Sequence, residues 1–108
     1  MGEKGDKLTN DSVLAAESLL NKLAPIEGIS SKKMFGGHGI FYEGKMFGMV
    51  NSKGASFFKT NESNENDYIN LNAEKHSRMP YYMIPENIIN NNESLISWAQ
   101  KSIDIINS

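Results

Sequence analysis

The sequence contains no cysteine, so it forms no disulfide, offers no thiolate nucleophile and lacks the ligand that most structural zinc sites use. Histidine is limited to His38 and His76, and neither an HExxH motif nor any close set of His and carboxylate ligands accompanies them, so no metal or other cofactor is expected. Arginine is nearly absent too. Arg78 stands alone, far from the strongly basic footprint of a dedicated nucleic-acid domain. The apolar runs are too short to span a bilayer, which argues against a membrane partner. The start of the chain, Met1 to Lys7, is charged and carries no apolar signal segment. These absences together point to a cytoplasmic protein.

What remains is ordinary in bulk and uneven in detail. With 108 residues, 39% of them hydrophobic and 22% charged, the chain supports one core of its own. We expect a flexible N-terminus over residues 1–10 and a single domain over 11–108. The net charge is −2, but residues 31–59 hold Lys32, Lys33, Lys45, Lys53 and Lys59 against Glu43 alone. That segment is +4, while both flanks are acidic. Lysines on solvated strands keep sheet edges soluble, and the same five could also meet phosphates.

Hydrophobic spacing orders the elements. Asn10-Asp11-Ser12 offers N-caps, and Val13, Ala16, Leu20 and Leu23 recur at helical spacing until Pro25, which predicts a helix over 11–24. Four short strands follow at 32–35, 38–42, 45–51 and 55–60, separated by Gly36-Gly37, Glu43-Gly44 and Ser52-Lys53-Gly54. Connections this short imply an antiparallel meander. A short helix is expected over 61–70, with Tyr68, Ile69 and Leu71 as its docking side. Extended segments are expected at 75–78 and 80–84, then a helical turn at Pro85-Glu86 and a final helix over 93–106. Leu95, Trp98, Ala99, Ser102 and Ile106 form the stripe of that helix. The order defines an α+β domain, a helical layer on an antiparallel sheet.

Alternation places Ile40 and Tyr42 opposite Phe41, and Met46, Gly48 and Val50 opposite Phe47 and Met49. Both sheet faces then carry large apolar groups. Helices can cover one; a loop, a partner or a second subunit must cover the other, or its aromatic residues stay partly exposed. Tyr81 and Tyr82 point to opposite faces, so one is expected to be buried and the other available for contact.

Few residues suggest chemistry. His38 and His76 are the acid–base candidates by residue type, although an exposed turn position for His38 and a solvated surface position for His76 are the ordinary explanations. Gly36-Gly37-His38-Gly39 resembles a phosphate-cradling loop in composition, yet a strand follows it and not a helix; positive φ or close backbone approach explains glycine there as well. No GxSxG elbow is present. Methionines 34, 46, 49, 79 and 83 either fill the core or present an adaptable surface to a partner.

The run Met34-Phe35-Gly36-Gly37-His38-Gly39-Ile40-Phe41-Tyr42-Glu43-Gly44-Lys45-Met46-Phe47 resembles the signature of the TfoX/Sxy N-terminal domain family. Phe57-Phe58-Lys59-Thr60, Met79-Pro80-Tyr81-Tyr82-Met83-Ile84-Pro85 and Leu95-Ile96-Ser97-Trp98-Ala99 extend the likeness over about residues 12–105. The resemblance implies a two-layer α+β fold in the α-β(n)-α-β(2)-α order of secretion-chaperone-like domains, which often dimerise. It also implies a regulator and not an enzyme, since no catalytic residues carry over. Longer members regulate natural competence with the cyclic-AMP receptor protein at promoters and carry a further C-terminal domain; by this resemblance the chain is expected to be the stand-alone N-terminal form, without that domain. On this reading Phe35, Gly36, Gly37, His38, Gly39, Phe41, Tyr81 and Tyr82 are candidate protein contacts, within a homodimer or with the transcription machinery. Lys32, Lys33, Lys45, Lys53 and Lys59 are the candidates for the alternative, direct nucleic-acid binding.

Overall fold

The computed structural model describes residues 3–34, 36–77 and 79–107, with side-chain surroundings from Ser12 onward. Helix α1 (Glu3–Lys22) begins at Glu3 and not at 11, and it ends short of Pro25. Strands β1 (Ile29–Met34), β2 (Gly37–Tyr42), β3 (Lys45–Val50) and β4 (Ser56–Lys59) follow as the turn residues imply. Then come α2 (Glu65–Ile69), β5 (Tyr81–Met83), α3 (Glu86–Ile89) and α4 (Asn92–Asn107). The five strands form one antiparallel sheet in the order β1-β2-β3-β4-β5, each paired with its neighbour in sequence. The β2–β3 connection shows why the meander forms: Glu43 at φ 47° and Gly44 at φ 85° take the positive-φ conformation that a two-residue hairpin turn requires.

Beyond β5 the expected second extended segment makes only a short pairing. Lys75 bridges Tyr82, the His76 amide donates to the Tyr81 carbonyl, and the Met83 amide donates to the Glu74 carbonyl. Proline at 85 starts α3 in extended geometry (φ −58°, ψ 145°). The Lys22 ammonium donates to the Ile89 carbonyl at 3.1 Å, joining the end of α1 to the end of α3.

Both long helices lie on one face of the sheet, α1 over β1 and β2 and α4 over β3 and β4. Ala16 and Leu19 from α1, and Leu23 just after it, meet Leu95, Ala99 and Ile103 from α4 above Ile40, Phe47, Val50, Phe58 and Tyr82. Trp98 is only half-buried, but it packs edge-on against Tyr68 with ring centroids 4.6 Å apart.

Three features differ from simple periodicity. The register of β2 with β3 steps from Ile40↔Gly48 to Phe41↔Met46, so Phe47 is an extra residue, a β-bulge. Phe47 therefore turns to the same face as Gly48 and Val50, is fully buried and packs on Phe58 at 5.8 Å, whereas alternation set it opposite them. Tyr81 and Tyr82 are both buried, against the expectation that one stays available. Tyr81 lies on the helix-free face, covered in part by Lys59, whose ammonium sits 5.6 Å from its ring centre. Finally, only Tyr68 of the α2 docking side is buried; Ile69 and Leu71 stay exposed, because the helix ends after Ile69 and Asn72 reverses the chain at φ 60°.

Two predictions follow from this packing. A Cβ on Gly37 would lie 2.0 Å from the Val50 carbonyl oxygen, so backbone must move to admit it. Gly37→Ala is expected to cost about 1–3 kcal/mol, lowering a thermal midpoint by roughly 4–8 °C per kcal/mol, while Gly39→Ala, which meets only movable side-chain ends, costs less. Equal midpoints for the two variants would refute this difference. The second concerns Tyr68, whose phenol is pushed well above its ordinary value by burial; the adjacent Ser102 hydroxyl offsets part of this and the Asp67 carboxylate adds to it. The folded state then holds this proton longer than the unfolded chain does. Stability is full below the unfolded tyrosine value of 10.0 and falls as pH rises above it toward the folded value. Urea melts of the parent and Tyr68→Phe should diverge in slope against pH only in that alkaline range.

Candidate functional site

The bulge that turns Phe47 inward leaves Met46 and Met49 on the opposite face of β3, away from the helices. Register carries this face across the sheet: Lys32 and Met34 from β1, Gly37, Gly39 and Phe41 from β2, Phe57 and Lys59 from β4, Tyr81 and Met83 from β5. No helix lies on it among the described residues. Its charged strand residues are lysines, and an acidic residue appears only on the flanking segment, where Glu74 lies opposite Met83.

At the centre, Gly39 makes room for sulfur. A Cβ there would sit 2.8 Å from the Met34 Sδ, 3.0 Å from the Met46 Sδ and 2.8 Å from the Phe41 ring edge, so three side chains close over a residue that has none. Beside them opens a cavity of about 340 Å³ lined by Met34, Met46, Met49 and Met79, the ends of β2 and β3 at Gly37, His38 and Val50, Asn51 and Ser52 of the following turn, and His76. His76 stands edge-on to Phe57, with ring centroids 5.1 Å apart and an interplanar angle of 89°. Its Nδ1 is buried and has no hydrogen-bond partner among the described residues. The wall is mostly methionine thioether, with Asn51, Ser52 and the two histidines as its polar residues.

The glycine run has a packing explanation. Gly36 turns the chain at φ 77°, Gly37 lets β2 start against the Val50 carbonyl, and Gly39 admits the two sulfurs. Nothing in this arrangement lines up backbone amides at a helix N-terminus, the geometry a phosphate cradle uses. Of the contact candidates, Gly37 and His38 line the cavity, Gly39 and Phe41 lie against the Met34 and Met46 side chains that line it, Tyr81 lies on the same face but buried, and Tyr82 faces the helices and donates its hydroxyl to Glu65 at 3.0 Å. Phe35 lies outside the described residues. His38 shares a face with Ile40, and its Nδ1 lies 2.9 Å from the buried Ser12 hydroxyl of α1.

The five lysines do not share one face. Lys32 and Lys59 lie on the open face near opposite edges, and Lys33 pairs with His38 on the other face. Lys45 begins β3 beside the Glu43-Gly44 turn, whereas Lys53 sits in the turn after β3, at the other end of the strand. No group of three or more His, Cys, Asp or Glu residues among those described could hold a metal ion. No described helix is long and apolar enough to cross a membrane.

Sheet, helical layer and cavity define a two-layer α+β domain with one open sheet face and a thioether-lined recess in it. The family follows from the sequence: residues 21–106 match the model of the TfoX N-terminal domain, and the chain belongs to that family. No curated protein matches it.

The Ser12–His38 bond yields a prediction about His38. It ties α1 to β2, so Ser12→Ala and His38→Ala should each destabilise the domain and be non-additive, with a coupling of about 1 kcal/mol in a double-mutant cycle. Strict additivity in urea melts would remove this structural role.

Proposed function

We propose that this is a non-enzymatic regulatory domain that acts by binding a protein through the open face of its sheet. The observation that carries the reading is the methionine-lined cavity on a face without helical cover. Thioether side chains are flexible and polarizable, which suits a surface that must fit a partner's apolar groups. Membership of the TfoX N-terminal domain family supports a role in transcriptional or competence regulation, in the cytoplasm, with the cyclic-AMP receptor protein as the partner to test first. Direct nucleic-acid binding is the weaker reading, because Lys33 and Lys45 point away from the surface that Lys32 and Lys59 share.

The test uses the methionines as reporters. Protein labelled at its methionine methyl groups is titrated with the cyclic-AMP receptor protein on promoter DNA, and separately with the DNA alone. The signals of Met34, Met46, Met49 and Met79 should shift with the protein complex and not with DNA. Shifts produced by DNA alone, weakening steeply with salt, would replace this reading with nucleic-acid binding.

A further inference from the structure

We infer that the cavity receives a single bulky apolar side chain, Leu, Met or Phe, carried on an acidic segment of the partner protein; this rests on the protein-binding reading above. Size sets the first limit. At about 340 Å³ the recess lies at the low end of pockets that hold small ligands, roughly 300–1,000 Å³, which is room for one side chain and not for the whole face of a helix. The lining sets the second, since thioether sulfur near aromatic rings favours an apolar or aromatic guest over a charged one. His76, Asn51 and Ser52 supply the polar part of the wall, beside which the main chain of the segment carrying the anchor lies.

Charge selects the segment. Lys32 lies two residues from Met34 on the same face, and Lys53 follows the lining residue Ser52. Both are exposed, and Lys32 pairs with Gly39 and is flanked by Ser31 and Lys33, with no acidic residue beside it on the strands. Of the acidic groups, Glu65 and Asp67 lie on α2 and Glu93 and Asp104 on α4, while Glu74 flanks the open face at the β5 edge, at the opposite side of the sheet from Lys32. A second copy docking by this face would set its lysines against these lysines, whereas an acidic segment complements them. A nucleic acid would find a thioether wall in place of a stacking ring, with too few cations converging on one side.

The experiment is selection of short random displayed peptides on the folded domain, followed by binding of the enriched peptides to methyl-labelled protein. Enriched peptides should carry one Leu, Met or Phe among Asp and Glu, and should shift the methyl signals of Met34, Met46 and Met49. Their affinity should fall about tenfold or more in Gly39→Leu, which pushes the Met34 and Met46 side chains out of their places in the wall, and in Lys32→Glu/Lys53→Glu. Met49→Gln, which keeps the side-chain length while adding polarity, serves if Gly39→Leu does not fold, and the same loss is expected. Enriched peptides that shift the methyl signals but lack the acidic residues or the anchor, or that bind these variants as well as the parent, would overturn the inference and leave the protein-binding reading standing. If no enriched peptide shifts the methyl signals while duplex DNA does, both fall.

Discussion

One inserted residue governs the architecture. At Phe47 the β3 backbone gains a position relative to β2, and a sheet that would otherwise alternate through this point instead sends Phe47, Gly48 and Val50 to the helices while Met46 and Met49 go to the other side. The inward phenylalanine packs on Phe58 and supports the layer formed by α1 and α4. The outward methionines meet Met34 above Gly39 and enclose the recess. Core and surface are thus set by the same local distortion.

Glycine then permits what the bulge arranges. Close approach of Gly37 to the Val50 carbonyl draws the end of β3 against the start of β2, which brings Asn51 and Ser52 to the recess wall. On the other face His38 engages Ser12, so the strand whose glycines shape the open surface is also fastened to the first helix. Its histidine is therefore part of the helix–sheet contact, and His76, which has no such engagement at Nδ1, is the imidazole with a polar atom to spare.

Much of this fold was legible in the residues. Pro25, the Glu43-Gly44 pair, Pro85 and the helical stripe through Leu95, Ala99 and Ser102 are local signals, and each lies within three residues of the element it marks. What was not legible depends on register or on distant cover. No local pattern distinguishes a bulged β3 from a regular one, because the choice is made by which side chain fits beneath α4. Tyr81 is buried although it faces away from the helices, and Lys59 of the neighbouring strand covers part of its ring. Ile69 and Leu71 read as docking residues only if α2 continues, and it stops. The methionines stood out as adaptable, but their gathering around one glycine follows from strand pairing and not from spacing.

The sheet order has a kinetic consequence. Because β1 to β4 pair with their sequence neighbours across short turns, this part of the sheet assembles through local steps with little loop-closure entropy, whereas β5 joins β4 across residues 60–80. The contact between α1 and α4 is different, since it joins opposite ends of the chain. Docking of the terminal helices is thus the step with the largest entropic barrier. Substitutions at Leu19 or Ile103 should therefore weigh on folding rates differently from substitutions in the β2–β3 hairpin, which forms from residues already close in sequence.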